Sequence, residues 1–369
     1  MRLLTSVLSS IILIDCRVKA LTLAKTSSAL LLNSINKTHR VISSNLSYHR
    51  YHRSMSTFVS TETKNDVINP ETKRSNPLLQ SWSTNPFGLP PFTSTVPSDF
   101  EYALEYSMKQ HLDELSIIAS NSEPPTFENT IAPFDRSGRL FYRVNNMFDN
   151  LCSSNSPPEL QAVELKMASH VASHYNKITS LPGLFDRINT IYESRLTSGE
   201  YTAEQIRLIE RFHLDFVRSG AMFSEEDQKR YAAITEKLAE LCTIFTQNVL
   251  TDESEITLDL KDTSNDLLGL PNDLIACAKQ AAIERNKPDD TYVITLSRSL
   301  VEPFITFSER ADLREKAWRL WTKRGELESS RDNLVIAKQI LQLRVEQAGM
   351  HGYKVSMIHS SEDAYCCYN

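Results

Sequence analysis

Two histidines one helical turn apart are the residues whose spacing could hold a metal ion. They are His170 and His174, in the stretch HVASH. Imidazoles at positions i and i+4 of a helix can bind zinc, but hydrolysis also needs a carboxylate base directly after the first histidine and a third protein ligand. Val171 occupies the position of the base. The sequence therefore predicts that the two histidines pack and hydrogen-bond at a helix contact, with His174 on or beside the buried face.

Other patterns that would carry chemistry are missing from the sequence or lie in unsuitable places. There is no G-x-S-x-G, no G-x-x-x-x-G-K and no G-x-G-x-x-G, so nucleophile-elbow, P-loop and dinucleotide sites are not supported. The acid pairs Glu225–Glu226 and Asp289–Asp290 fall at a helix start and in a turn, where a solvated role is expected. We therefore predict no catalytic, cofactor-binding or metal-binding residue in this chain.

Charge and cysteine usage exclude two further kinds of site. Residues 1–60 hold eight Lys or Arg against one acid, which leaves 32 basic and 45 acidic residues, or −13, for the remainder. A body this acidic is a poor partner for nucleic acid, since phosphate contacts need clustered Lys and Arg. The six cysteines form no C-x-x-C pair, which is typical of free thiols in a reducing compartment. Cys366–Cys367 lie in an unstructured-looking tail without nearby histidines.

The first sixty residues have the composition of a targeting presequence. They contain twelve Ser, no Gly and no Pro, which predicts a mitochondrial transit peptide. The apolar run 3–14 leaves a secretory signal open, and a plastid location or a cytosolic form that starts at Met55 are further alternatives. Neither that run nor any later segment approaches the length of about 20 apolar residues that a membrane span needs. Residues 61–75 are polar and aperiodic, and we interpret them as a linker.

Long amphipathic helices are predicted over most of the remaining chain. Capping patterns mark three helix starts, at Ser98 with Glu101, Thr202 with Gln205, and Ser224 with Asp227. Gly220 is well placed to end the second of these helices. The apolar stripes expected to face the core are Met108, Leu112, Leu115 and Ile118; Ile206, Ile209, Phe212 and Phe216; and Ile234, Leu238, Leu241, Phe245 and Val249. Because each stripe is narrower than its helix, the helices are expected to pack against one another with one face in water.

One region breaks the helical period. The alternation in EITLDLKD (255–262) and the β-branched residues of TYVITLSR (291–298) predict two strands. Pro271 is expected to start a helix between them, and helices are expected to resume at about Glu309. No period of 20 to 50 residues recurs, which argues against a repeat array. The predicted fold class is mainly α, with a small inserted antiparallel β pair.

Several colinear stretches carry a resemblance to a known family. They are NPLL (76–79), NPFGLPPF (85–92), PPTFENTI (124–131), FHLDFVRSGA (212–221), NVLTDE (248–253), DLLGLP (266–271), TLSRSLVEPFITFSERADLREKAW (295–318), and RG with DN (324–325 and 332–333). In this order they resemble the N-terminal half of the oligopeptidase A and thimet oligopeptidase family of zinc metallo-oligopeptidases, to which peptidyl-dipeptidases also belong. The match is closest to the oligopeptidase A branch and covers residues 76–354. Residues 355–369 do not match and are expected to be a disordered tail.

The local physics of these stretches favours structural roles. The prolines of NPFGLPPF predict a stiff approach that lays Phe87 and Phe92 against helices. Thr126 is expected to cap the helix that follows it, with Asn129 in the first turn. Arg310, with its neighbouring charges in RADLREKAW, is expected to contribute only small ion-pair energies.

The resemblance also implies a fold, a cofactor and partners. Members of this family are mostly helical and have a deep channel between two lobes that admits short unfolded peptides. Their zinc is held by an H-E-x-x-H helix and a downstream Glu in the C-terminal catalytic lobe, and neither is present in this sequence. The implied partners are short peptide substrates and the missing C-terminal catalytic lobe. Zinc would be the cofactor of the full-length family, and none is expected to bind to this chain.

Two hypotheses follow. The first is that this chain is the N-terminal part of a zinc oligopeptidase, supplies one wall of the substrate channel, and is inactive by itself. The second is a catalytically inactive helical module that binds peptides or a partner. The second hypothesis requires apolar faces to be tolerated in solvent, which is an aggregation risk.

Overall fold

The computed structural model describes residues 75–197 and 199–354. The predicted presequence (1–60), nearly all of the predicted linker and the predicted tail with Cys366–Cys367 lie outside the described residues. The described chain is mainly α-helical with one antiparallel pair of strands, which confirms the predicted fold class. Within the described ranges, no helix combines the length and the apolar composition that a bilayer crossing requires.

The described residues divide into two compact units. The first unit comprises residues 75–167 and 174–219, and the second comprises residues 168–173 and 220–354. The helices that begin before residue 220 are α1 (Ser98–Ala119), α2 (Ala132–Arg136), α3 (Arg139–Ser154), α4 (Pro158–Thr179), α5 (Leu184–Ser194) and α6 (Ala203–Arg218). A five-residue π-helical turn, Phe127–Ile131, precedes α2. In the first unit α1 packs against α3 and α5, and α5 packs against α6.

The second unit contains the strands. Its elements after residue 220 are α7 (Glu225–Glu255), β1 (Thr257–Lys261), α8 (Asn272–Glu284), β2 (Thr291–Thr295), α9 (Arg298–Phe307), α10 (Ala311–Thr322) and α11 (Asn333–Met350). The strands pair antiparallel, with Asp259 opposite Val293. The core between the sheet and α8 to α10 is made of apolar side chains, among them Leu258, Ile294 and Phe304. The long helix α7 packs against α11.

Two of the three predicted helix starts are confirmed in atomic detail. At the start of α6, the Thr202 side chain accepts a hydrogen bond from the Gln205 backbone, and the Gln205 side chain accepts one from the Thr202 backbone. At the start of α7, the Ser224 side chain accepts from the Asp227 backbone. Gly220 follows the end of α6 with φ +88°, a left-handed conformation that ends a helix without steric cost.

The third predicted start is wrong in its mechanism. Helix α1 does begin at Ser98, but Pro97 is the residue before the helix and no side chain caps it. The buried Asp99 carboxylate instead accepts a hydrogen bond from the Val96 backbone at 2.9 Å. Glu101 forms an ion pair with Lys166 of α4. The predicted reciprocal cap is therefore absent: the Glu101 carboxylate pairs with Lys166, and the carboxylate that reaches back to the chain before the helix belongs to Asp99.

The strand prediction is confirmed, and one helix was missed. Both strands and the helix that follows Pro271 lie where the sequence placed them. However, the second strand ends at Thr295, and α9 begins at Arg298, before the predicted resumption of helices at about Glu309. Pro303 lies inside α9. A proline within a helix removes a backbone donor and is normally taken as a break, so the sequence pattern concealed this helix.

Gly269 lies where the backbones of two stretches of the second unit come into contact. It has φ +81°, and a Cβ at this position would lie 2.5 Å from the Phe307 carbonyl oxygen. The neighbouring Leu268 carbonyl accepts a hydrogen bond from the Glu309 backbone at 3.0 Å. The loop after β1 and the segment between α9 and α10 therefore touch through backbone atoms, which leaves no space for a side chain.

Replacing Gly269 by Ala is expected to lower the free energy of unfolding of the second unit by about 2 kcal/mol or more, since it adds left-handed strain to a steric clash. Gly349→Ala is the matched control. Gly349 lies in α11 without a positive φ, and apart from its chain neighbours and the surrounding backbone of its own helix no atom lies within 4 Å of the place that an added methyl group would take. Alanine there is expected to stabilise the helix by up to about 1 kcal/mol. Urea denaturation of both variants measures the difference, and equal effects would contradict the steric account.

Candidate functional site

The two histidines of HVASH lie in different environments. His170 is exposed, whereas the His174 side chain is 2% exposed. Nε2 of His174 lies 3.1 Å from Nδ1 of His111 in α1, and Nε2 of His111 lies 3.2 Å from the Ser137 hydroxyl. His174 therefore packs and hydrogen-bonds between helices, as the sequence predicted for it. His170 is not part of this contact. The partner His111 was not identified from the sequence, because nothing in its neighbourhood marks it.

The histidine pair lies among aromatic rings in the first unit. The Phe141 ring is 4.6 Å from the His174 ring and 6.0 Å from the His111 ring, and Tyr142 contacts His111 from the edge. Burial lowers the pKa of His111 to about 4. Burial, the neighbouring His111 and Lys177 lower the pKa of His174 to about 3. Both imidazoles are therefore neutral at physiological pH, and the hydrogen bond between them uses one donor and one acceptor nitrogen.

The backbone beside the histidine pair covers the His111 ring and supplies no catalytic group. Gly138 follows Ser137 with φ +66°, and a Cβ there would lie within 2.7 Å of the His111 ring. The backbone therefore closes directly over the imidazole. A general base must reach a substrate proton at hydrogen-bond distance, and a ring 2% exposed cannot do so. The arrangement is a packing contact with polar specificity.

Acidification is expected to destabilise the first unit through these histidines. Their folded pKa values lie below the ordinary value of 6.5, so the unfolded chain binds protons first as the pH falls. The stabilisation is complete above pH 6.5 and is lost progressively from there towards pH 4, by about 1.4 kcal/mol per pKa unit for each histidine. Denaturation by urea between pH 7 and pH 4.5 measures this slope.

A pair of variants isolates the histidine contribution. His111→Gln retains hydrogen-bonding capacity but does not titrate, so we expect a shallower decline of stability with acid. Leu165→Gln, at an exposed and non-titrating position of the same helix as His174, should keep the wild-type slope. Asp149 acts in the opposite sense, because burial and Glu164 raise its pKa to about 6, and it is common to both variants. A His111→Gln slope equal to that of the wild type would refute the assignment.

A second polar cluster lies in the second unit and joins α7 to the connection between α10 and α11. The Asp252 carboxylate is fully buried and accepts hydrogen bonds from the Gly325 backbone at 2.7 Å and from Arg331 at 3.1 Å. Asn333 donates to the Phe245 carbonyl at 3.0 Å. The Asn248 side chain donates to Asn333 at 2.9 Å. We call these residues the Asp252 joint.

The Asp252 joint brings together stretches that carry the family resemblance. NVLTDE supplies Asn248 and Asp252, while RG and DN supply Gly325 and Asn333. Arg324 of the same stretch forms an ion pair with Glu253. The Asp252 carboxylate and the Asn333 side chain bind backbone groups of distant stretches, so the cluster positions helices.

Removing the Asp252 carboxylate is expected to destabilise the second unit by about 3 kcal/mol, because it leaves the buried Gly325 N–H without its acceptor and removes the buried one of the two carboxylates that pair with Arg331. Glu255→Ala is the matched control: Glu255 lies 2.9 Å from the same arginine, but its side chain is 59% exposed, and exposed pairs contribute less than about 1 kcal/mol. Thermal and urea unfolding of Asp252→Ala and Glu255→Ala give the comparison. Similar losses from both variants would show that burial does not govern this joint.

A third joint holds the stretch PPTFENTI in the first unit. Thr126 and Asn129 cap each other across the π-helical turn, which confirms the predicted role of Thr126. The buried Arg187 of α5 donates to the Asn121 and Glu123 carbonyls, to the Asn129 side chain and to Thr130. The guanidinium thus uses its planar array of donors to tie a loop to a helix. Arg187 was missed from the sequence because its acceptors are distant along the chain.

The charged stretch RADLREKAW forms one joint and several surface pairs. Arg310 contacts Asp266 at 2.7 Å and Asp312 at 2.8 Å. Asp266 belongs to DLLGLP, so this contact links two stretches of the resemblance. Arg319 and Glu315 form an exposed i,i+4 pair, of the kind expected to contribute little.

The prediction for NPFGLPPF is wrong. Phe87 is 99% exposed and is therefore not laid against a helix, and Phe92 is 48% exposed and thus at most half-covered. Phe87 adopts φ +57° within a short 3-10 turn, which directs its side chain away from the first unit. The prolines do produce a stiff non-helical stretch, but a stiff loop can present its side chains to solvent as readily as to a core.

The remaining candidates do not assemble into a site. Asp290 pairs with Lys261 and Glu225 with Lys229 at exposed positions, which agrees with the solvated role expected for these acid pairs. Among the residues that the structure describes, no three His, Cys, Asp or Glu side chains are placed to hold a metal ion. The donors present in this part of the chain therefore do not fit a zinc site.

Comparison with curated proteins shows which proteins are similar to this chain in sequence. No family model matches the chain. Dipeptidyl carboxypeptidase of Escherichia coli is 28% identical over 278 residues, 75% of this chain and 40% of the relative. Oligopeptidase A of Haemophilus influenzae is 28% identical over 283 residues, 76% and 40% respectively. Organellar oligopeptidase A, chloroplastic/mitochondrial, of Arabidopsis thaliana is 27% identical over 292 residues, 78% and 36%.

Three quarters of the chain is thus homologous to peptidases. Within that class the relatives are dipeptidyl carboxypeptidases and oligopeptidases A, which confirms the family resemblance found in the sequence. The chain spans about two fifths of the length of the curated relatives that it matches.

Proposed function

We propose that this chain is the N-terminal part of a longer zinc-dependent oligopeptidase that degrades short peptides, and that it forms one wall of the substrate channel. The observation that carries the proposal is homology to peptidases over three quarters of the chain, with a match to only 40% of the relatives' length. In the family that the chain resembles, the zinc ligands lie in the other half. The described residues of this chain contribute packing and polar joints.

The chain by itself is proposed to be inactive. Its buried histidines face each other, its buried acid accepts from backbone and arginine, and its described residues contain no cluster suited to a metal. Hydrolysis of a peptide bond requires activation of water and stabilisation of an oxyanion. The histidine rings are 2% exposed and the Asp252 carboxylate is fully buried, so neither group is placed to reach a substrate.

The alternative is a helical module without catalytic activity that binds peptides or a partner. One observation favours it: α11 presents Leu334, Leu341 and Val345 to solvent, with side chains 48%, 43% and 59% exposed. At 100° per residue these three positions fall within a narrow arc of the helix. An apolar stripe of this kind is suited to a partner helix.

We also propose a mitochondrial location. The support is the basic, Ser-rich composition of residues 1–60, and one relative carries the name organellar oligopeptidase A, chloroplastic/mitochondrial. A plastid or secretory route and a cytosolic form from Met55 are the competing locations.

Cleavage of a quenched fluorescent peptide tests the proposal. The full chain, assayed with added zinc, is expected to show no chelator-sensitive turnover, because it lacks H-E-x-x-H. The protein translated from a transcript that continues in frame beyond codon 354 is expected to cleave the same peptide and to lose this activity with a chelator. Chelator-sensitive turnover by the chain alone, or an inert longer protein, would contradict the proposal.

A further inference from the structure

Residues 85–96 form a loop that displays large apolar side chains, here called the Phe87 loop. The exposed fractions are 99% for Phe87, 55% for Leu89, 48% for Phe92 and 45% for Val96. The loop lies within an uncharged stretch, since residues 75–98 contain no Asp, Glu, Lys, Arg or His. Single exposed apolar residues are ordinary, but four large exposed apolar side chains within twelve uncharged residues are typical of an interaction surface.

Hydrogen bonds within the loop hold this display in place. The Asn85 side chain donates to the Leu89 carbonyl at 2.8 Å, and the Gly88 backbone donates to the Asn85 carbonyl at 2.9 Å. Pro86 starts the turn, and its carbonyl accepts from the Leu89 backbone at 3.1 Å. Because the backbone is already ordered, a partner that binds here does not have to order it.

The conformation of Phe87 has a cost that side-chain packing in the described residues does not offset. Its φ of +57° and ψ of +15° lie in the left-handed region, which is strained for a bulky side chain. Packing would normally compensate for such strain, yet the side chain is 99% exposed. The loop hydrogen bonds hold the turn, but the aromatic ring has no packing partner among the described residues and is available to a pocket outside them.

We propose that the Phe87 loop is the docking anchor for the part of a longer oligopeptidase chain that this sequence does not span, with Phe87 inserted into an apolar pocket of that part. This inference rests on the proposed function. Its support is the coincidence of a preformed aromatic anchor with a chain that covers two fifths of its relatives. An exposed aromatic side chain that enters a pocket is the usual centre of a binding hot spot.

Other occupants fit the loop less well. An anionic lipid surface is attracted by Lys or Arg beside the apolar residues, and residues 75–98 contain neither. A second copy of the chain would have to bury roughly 800 Å² on each partner, which is far more than four loop side chains provide. A contact within one polypeptide needs less area, because the connecting chain raises the effective concentration.

Binding in trans tests the docking anchor. The polypeptide encoded beyond codon 354 of the longer transcript is produced separately and titrated with the full 369-residue chain by calorimetry. Phe87→Ser is expected to weaken the association about 30-fold or more, the effect of truncating a hot-spot aromatic residue. The matched control is Leu196→Ser, at a side chain 68% exposed in the same unit, and its affinity is expected to stay within about twofold of the wild type.

The outcomes separate this inference from the proposed function. Unchanged affinity of Phe87→Ser, equal losses in both variants, or a transcript without coding sequence beyond residue 369 would each overturn the docking anchor. Peptide cleavage by the longer protein is scored independently. If the longer protein cleaves peptides and Phe87→Ser binds normally, only the anchor fails. If docking depends on Phe87 and no peptide is cleaved, only the proposed function fails. Circular dichroism of Phe87→Ser confirms that the chain is folded.

Discussion

Buried polar side chains that grip distant backbone groups are the interaction on which both compact units depend. A helix can satisfy its own interior hydrogen bonds, but the loops that connect helices cannot, and burying their peptide groups without partners is costly. Asp252 accepts a hydrogen bond from the Gly325 N–H, and Arg187 donates to two carbonyls of the loop before the π-helical turn. Asn76 does the same at the start of the first unit, where it donates to the Asp99 carbonyl and accepts from Leu78. The apolar core then closes around fixed connections.

The family resemblance and these joints coincide. NPLL contains Asn76, PPTFENTI contains the reciprocal cap, NVLTDE and RG with DN meet at Asp252, and DLLGLP meets RADLREKAW through Asp266 and Arg310. The stretches that resemble the family are therefore those whose polar side chains fix the connections between helices. This explains how a chain can be homologous to peptidases over most of its length while none of the similar stretches assembles reacting groups in the described residues.

Features decided within a few residues could be predicted from the sequence, and features decided across the chain could not. The caps at Thr202 and Ser224 and the strand pair follow from local hydrogen bonding and side-chain period. The cap at Ser98 failed because Glu101 pairs with Lys166. The carboxylate that reaches back to the entering chain is that of Asp99, which accepts from the Val96 N–H. Pro303 concealed α9. The partnership of His111 with His174 joins residues far apart in the chain, and no single-sequence pattern marks such a pair. The exposure of Phe87 depends on a left-handed turn that the proline content alone does not specify.

Gly325 fixes the direction of helix α11. Its N–H donates to Asp252, and its carbonyl accepts from the Asn333 backbone at 2.7 Å. A Cβ at this position would lie 2.5 Å from the side-chain Nδ2 of Asn333. The N–H and the carbonyl of Gly325 are thus both hydrogen-bonded just before α11, which fixes the axis of that helix at its N-terminal end. Gly325 therefore sets the direction in which a polypeptide continues beyond Met350. A methyl group added at Gly325 would clash with Asn333 and change the direction of α11.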